Sequence, residues 1–251
     1  MNRALTIEML FPEIANLHGD NANITYLSQS RPDARVIRTG LTDVPAFSTG
    51  SVDLVYLGAM TELGQIKAIE RLRPHRDRIE ALIESGTAFL FTHNALEVLG
   101  ARIRNDEMGY DVPGVGVFEL ESTLKMFGRY NGKVMGAVES VGNEHPVLGY
   151  KSQFSMVDAP ESLTGFLTAD RGIGRNTTTR TEGLRVGNFW GTSLIGPLLV
   201  VNPHLTRSLL AQLDPDSEPT IAHESFALAA YDARLADFRD DRRWHPFEQP
   251  A

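Results

Sequence analysis

Over the first hundred positions, short apolar runs alternate with polar stretches of helical length. Ala4 to Leu10 is an apolar run bounded by Pro12 and reads as a buried strand. Asp20 then precedes a helical pattern through Ile24, Tyr26 and Leu27, where its carboxylate can cap. Ala34 to Ile37 and Asp53 to Leu57 repeat the strand signal, the second ending at Gly58. From Glu62 to Ser85 the spacing is helical, and Pro74 divides it in two. Proline suits the first turn of the second piece and disfavours continuation of the first. Gly86 closes that piece, Thr87 to Thr92 reads as a central strand, and Asn94 to Leu99 is a short helix closed by Gly100. Such alternation predicts a parallel sheet covered on both faces.

The middle of the chain has a different rhythm. Gly114 to Phe118, Val134 to Val138, Val147 to Tyr150, Leu163 to Leu167 and Gly183 to Phe189 each read as a short strand. Asn202 caps a predicted helix to Leu213. Thr220 to Phe238 is an amphipathic helix with Phe226, Leu228, Ala229, Leu235 and Phe238 available for burial. The tail from about residue 240 to 251 is expected to be irregular.

Composition narrows the classes. The 251 residues carry a net charge of −8, and the arginines at 71, 73, 76 and 78 are interleaved with Glu70, Asp77 and Glu80. That interleaving reads as a solvated helix face and predicts no nucleic-acid partner. No apolar run is long enough to span a bilayer, and the start Met1 to Ile7 turns polar too soon for a signal peptide. These features predict a cytoplasmic protein. The sequence has no cysteine, which excludes disulfides, thiolate metal sites and every cysteine nucleophile. Glu119 and Glu121 lack a histidine at ligand spacing, and Gly172-Ile173-Gly174 lacks the third glycine of a dinucleotide fingerprint. Asn143 to Pro146 is a turn. No metal or cofactor is expected.

Several blocks carry a resemblance. They are Leu10 to Ile24 with Gly19-Asp20-Asn21-Ala22-Asn23, then Asp53 to Gln65, Thr87 to Gly100, Leu148 to Val157 and Gly183 to Pro203 with Gly191 to Leu199. In this order they resemble the class I glutamine amidotransferases of the cobyric-acid-synthase-like (CobB/CobQ-like) group, and among those the glutaminase subunit of lipid II isoglutaminyl synthase (GatD). The resemblance covers nearly the whole chain. It implies one domain over residues 1–251, with a three-layer, doubly wound, mostly parallel, flavodoxin-like α/β fold. It also implies a cysteine nucleophile on a strand-to-helix elbow, a histidine base, and an oxyanion loop of backbone N–H groups.

The chemistry does not carry over. The nucleophile position is His93, and the two glycines that follow it in the family are Asn94 and Ala95. Glu97 stands where the elbow helix usually has glutamine, and the base position is Ile195, which cannot take a proton. The oxyanion loop keeps Gly58 but continues Ala59-Met60, and the usual aromatic-Glu-Asn-His run is Tyr150 to Gln153. Arg129 matches an arginine that in the family can hold the glutamine carboxylate, and it also reads as a surface loop residue. Three readings follow. The chain is a non-catalytic subunit that docks with a Mur-ligase-like partner in peptidoglycan precursor modification. Alternatively, Gly58, His93, Asn94, Glu97 and Arg129 serve an altered hydrolase or transferase. In the third, the same pocket holds a small carboxylate such as glutamine without turnover.

Overall fold

A computed structural model describes residues 4–244. The predicted irregular tail beyond 244 lies outside the described residues. The first half builds β1 (Thr6–Leu10), α1 (Ala22–Ser30), β2 (Arg35–Thr39), α2 (Ala46–Thr49), β3 (Leu54–Leu57), α3 (Glu62–Leu72), α4 (Arg76–Glu84), β4 (Ala88–Thr92) and α5 (Ala95–Val98). A single turn of tighter helix at Arg73–His75 holds Pro74 between α3 and α4, as the sequence predicts.

The second half adds β5 (Arg102–Asn105), β6 (Tyr110–Pro113), β7 (Glu121–Leu124), β8 (Tyr130–Ala137), β9 (Val147–Gln153), β10 (Ser155–Asp158) and β11 (Leu167–Arg171). Then come β12 (Thr181–Glu182), β13 (Leu184–Val186), β14 (Phe189–Thr192), α6 (Leu198–Val201), α7 (Pro203–Leu213) and α8 (Glu224–Arg239).

The central sheet runs β13-β14-β4-β3-β1-β2 and is parallel except for the β13–β14 hairpin. Alternate residues feed two cores, as the period of two requires. Ile7, Met9, Leu54, Tyr56, Leu90 and Trp190 pack on one face with α1, α6 and α7. Val55, Leu57, Phe89, Phe91 and Phe189 pack on the other with α3 and α4. The fold is therefore a doubly wound α/β sheet with helices on both faces. Two four-stranded sheets flank it, β10-β7-β5-β6 and β12-β11-β8-β9. The first is continuous with the α3–α4 core through Ile103, Leu124 and Val157, the second with the α1–α7 core through Val134, Val147 and Leu167.

Several local expectations are corrected. Gly114 to Phe118 is not a strand. Its N–H groups bond to carbonyls of Val98 to Ala101, so it wraps the end of α5, and a Cβ on Gly114 would overlap the Gly100 carbonyl. Pairing near residue 163 begins only at Leu167. Gly183 to Phe189 is a hairpin turning at Gly187 (φ +54°) rather than one strand. Neither Asp20 nor Asn202 caps a helix through its side chain. Asn202 instead clasps β9, accepting from the Leu148 N–H at 2.8 Å and donating to the Leu148 carbonyl at 2.9 Å.

In α8, Tyr231 and Phe238 are buried, two turns apart on one stripe, in a small cluster with Met135 and Leu148. Phe226 is 78% exposed, and Ala229 is exposed too. Five residues before Tyr231 is a rotation of about 140° round the helix, which points Phe226 away from the sheet. His204 at the start of α7 stacks on His145, with ring centroids 3.6 Å apart and Tyr231 edge-on to both. No helix among the described residues is long and apolar enough to cross a membrane.

Candidate functional site

In a doubly wound sheet, ligands bind beyond the carboxyl ends of the strands, where the order reverses. Here that point lies between β1 and β3. Three segments meet there: Leu17 to Asp20 after β1, Gly58 to Met60 after β3, and the turn from Thr92 to Asn94 after β4.

His93 makes the turn. Its φ is +55°, a left-handed conformation that costs a side-chain-bearing residue on the order of 1 kcal/mol and marks a strained elbow. Each ring nitrogen faces a protein oxygen. Nε2 lies 3.0 Å from the Ser152 carbonyl, which can only accept, so Nε2 carries the proton. Nδ1 faces Asn94 Oδ1 at 3.2 Å. Burial lowers the His93 pKa, against the opposing hydrogen bonds to Ser152 and Asn94. A neutral ring has one proton for these two acceptors, so with Nε2 protonated the bare Nδ1 faces the Asn94 oxygen without a hydrogen bond.

The N–H groups of the loop after β3 are bonded from within the protein. The Ala59 N–H donates to Asp20 Oδ2 at 2.8 Å. The Met60 N–H donates to Asn94 Oδ1 at 3.1 Å, and Asn94 Nδ2 returns a bond to the Met60 carbonyl at 2.8 Å. The side-chain amide oxygen of Asn94 thus takes a donor that an oxyanion would need. Gly58 does not line the cavity. A Cβ there would sit 2.7 Å from the Ala15 carbonyl oxygen and 2.9 Å from the Tyr56 hydroxyl, so this glycine is fixed by close packing.

Asp20 is the hub of that packing. Besides Ala59 it accepts from the Thr92 hydroxyl and, through Oδ1, from Asn23 Nδ2 at 2.8 Å. Asn23 in turn accepts from the Leu199 N–H at 2.8 Å. The cap expected from local sequence is thus a long-range brace over β1, β3, β4 and α6.

Beside the elbow lies a cavity of about 160 Å³, lined among others by His18, Gln65, His93, Asn94, Glu97 and Arg129. Glu97 is buried on its wall. It accepts from the Ser155 hydroxyl and from Gln65 Nε2 at 3.3 Å. Burial dominates over these bonds and pushes its carboxyl up to about 7. Arg129 is exposed at the rim, its guanidinium 4.6 Å from the centre of the Phe154 ring. Ile195 is absent from the lining. Its backbone bridges to Tyr150, donating its N–H to that carbonyl at 2.8 Å.

His93, Asn94, Glu97 and Arg129 are therefore brought together, while Gly58 and Ile195 stand behind the wall. Sequence reasoning missed His18, whose ring meets His93 edge-on at 5.7 Å, and Gln65, which bonds the Asn94 carbonyl at 2.7 Å. It also missed the buried pair Lys151–Glu182, 3.4 Å apart. The first two lie inside the blocks that carry the resemblance. Among the described residues no group of three or more histidines and acids could hold a metal.

Comparison with known proteins places this geometry. The family profile of the CobB/CobQ-like glutamine amidotransferase domain matches residues 6–202. The subunit GatD of the glutamine-hydrolysing lipid II isoglutaminyl synthase from Staphylococcus aureus is 24% identical over 209 residues, 82% of this chain and 83% of that protein. Among solved structures, PurLQS from Thermotoga maritima aligns with a TM-score of 0.58 at 14% identity, covering 85% of this chain and 100% of that one. A glutamine amidotransferase from the same organism aligns at 0.53 with 13% identity, covering 84% and 98%.

Proposed function

The chain belongs to the CobB/CobQ-like glutamine amidotransferase family, and from there we propose that it is a member that does not hydrolyse glutamine and serves as a docking subunit. Its partner is a Mur-ligase-like protein in the cytoplasm of a bacterial cell, and the joint task is modification of a peptidoglycan precursor. One observation carries the loss of hydrolysis. Each nitrogen of the imidazole at the nucleophile position faces a protein oxygen rather than a base, and the loop that would hold an oxyanion has its N–H groups bonded to Asp20 and Asn94. The relative's name supports the rest, because it is a subunit of a lipid II-amidating synthase.

The purified chain should release no more glutamate from glutamine than a heat-treated control. His93→Cys should not restore activity, since Ile195 supplies no base and Asn94 still occupies the loop. Release abolished by His93→Ala would overturn the reading. A Mur-ligase-like protein from the same genome should co-elute with the chain at micromolar concentration and moderate salt. Separate migration would remove the docking role.

Glu97 favours a second reading. A carboxyl titrating near 7 on a cavity wall is suited to general acid–base work. Arg129 at the rim supplies a cation for a carboxylate. In this reading the cavity holds a small carboxylate such as glutamine, with or without altered hydrolase or transferase chemistry. At about 160 Å³ it is smaller than the roughly 300 Å³ at which drug-sized ligand sites begin, which confines the ligand to a small metabolite. Thermal stabilisation by glutamine or glutamate, lost in Arg129→Ala, would replace the docking role with this one.

A further inference from the structure

Strand β10 links two recesses. Its first residue, Ser155, lines the elbow cavity, and Val157 and Asp158 at its other end line a recess of about 520 Å³. That volume falls within the range of small-molecule sites. The residue at issue is Arg175, which lines this recess while only 5% exposed. Its backbone is locked from both sides, donating to the Thr181 carbonyl at 2.7 Å and accepting from the Val157 N–H at 3.1 Å. Its Nη2 donates to the Leu163 carbonyl at 3.1 Å, but Nη1 has no hydrogen-bond partner among the described residues.

No carboxylate among the described residues forms an ion pair with it. Glu182 is the acid that acts on Arg175 electrostatically. Its two oxygens are taken by the Ser193 N–H at 2.8 Å, the Thr192 hydroxyl at 2.7 Å and the Lys151 ammonium at 3.4 Å. Lys151 and Arg175 are both buried around this one carboxylate, with Glu97 a weaker influence on Lys151 alone. A guanidinium buried without an ion-pair partner is strongly disfavoured unless something else supplies the negative charge.

The walls add the complementary groups. Thr179 Oγ1 accepts from the Thr181 N–H at 3.1 Å, so its O–H remains to donate, and Thr181 also lines the recess. Asp158 takes Asn176 Nδ2 at 2.8 Å on one oxygen, and Glu161 stands exposed at the edge. A bare anion would be repelled by these two acids. A ligand that carries hydroxyl or amino groups beside its anion would use them as acceptors.

We propose that this recess binds a small anion, a phosphate or carboxylate, that also bears hydroxyl or amino groups. Arg175, Thr179 and Thr181 hold the anion, and Asp158 and Glu161 hold the remainder. The site is separate from the elbow cavity and does not depend on whether the chain hydrolyses glutamine.

Calorimetric titration of the full chain with glycerol 3-phosphate, glycerate and inorganic phosphate tests this. Glycerol 3-phosphate or glycerate should bind saturably at a single site below about 10 mM, and glycerol 3-phosphate should bind more tightly than inorganic phosphate. Arg175→Gln should weaken that binding by about tenfold or more, as expected for loss of a charge-assisted pair. Arg175 is buried and that variant can misfold. Thr181→Val keeps the shape and no hydrogen bond of its hydroxyl is seen, so it should fold and still lose roughly threefold or more in affinity. No saturable heat with either glycerol 3-phosphate or glycerate, or affinity unchanged in Thr181→Val and in folded Arg175→Gln, would overturn the site.

Discussion

Two buried carboxylates stand at the same end of the central sheet and behave differently. Asp20 receives the Thr92 hydroxyl and, besides it, a backbone N–H from Ala59 and an amide N–H from Asn23, two donors that cannot become acceptors. Glu97 receives the hydroxyl of Ser155 and an amide of Gln65, and it faces a cavity. A hydroxyl can rotate and accept instead, so the surroundings of Glu97 tolerate a proton on the carboxyl. Donors from three separate segments make Asp20 part of the scaffold. Glu97 is buried beside a cavity with no backbone N–H donated to it among the described residues, and burial raises its carboxyl.

The comparison breaks or sharpens by substitution. Asp20→Ala should cost the most, about 3–5 kcal/mol, because it orphans three buried donors on separate segments. The denaturant midpoint should fall with the slope unchanged. A loss below about 1 kcal/mol would show that the hub is dispensable.

Glu97→Gln should do the opposite. With its carboxyl raised from the ordinary 4.5 to about 7, the unfolded chain ionises first as pH rises. The stability tied to the neutral carboxyl is complete below pH 4.5 and drains away as pH climbs through about 7. The glutamine variant should therefore be more stable than the parent at pH 8, by up to about 3 kcal/mol, and nearly equal at pH 4. Equal stability at both pH values would remove the contrast with Asp20.

Asn94→Ala should cost about 1–2 kcal/mol, since Met60 loses a reciprocal pair of bonds beside a cavity that water can enter. It should gain no glutaminase activity. Smallest is Ser155→Ala, at about 1 kcal/mol or less, with the Glu97 titration moving further up when followed by carboxyl NMR. A downward move would show that the hydroxyl is not what holds the ionised form.

The strand–helix alternation of the first hundred residues was legible because each buried strand is a contiguous apolar run and each helix has a polar face. The flanking strands were less so. Arg102 to Asn105 and Glu121 to Leu124 are four residues long with one polar face, which leaves little pattern to read. Gly114 to Phe118 has the composition of a strand but pairs with a loop. At the site, motif positions pointed to the elbow residues His93, Asn94 and Glu97, which the structure brings together at one cavity. They did not reveal the rewiring, because Asn94 bonds Met60 across 34 positions and Asp20 reaches Thr92 across 72. A local rule assigned Asp20 to a helix cap, and the long-range contacts prevailed.

The matched family region ends at residue 202, but the cohesion of the fold does not. Leu205, Leu209, Leu210 and Leu213 of α7 lie in the same cluster as Ile7 and Tyr56, whereas Tyr231 and Phe238 of α8 belong to a satellite cluster of their own. Kinship and mechanical integrity therefore draw different borders. A cut before α7 would strip a layer from the sheet, whereas a cut before α8 would remove a buttress. Such a buttress shares little of the main core, so it should open locally before the sheet it leans on.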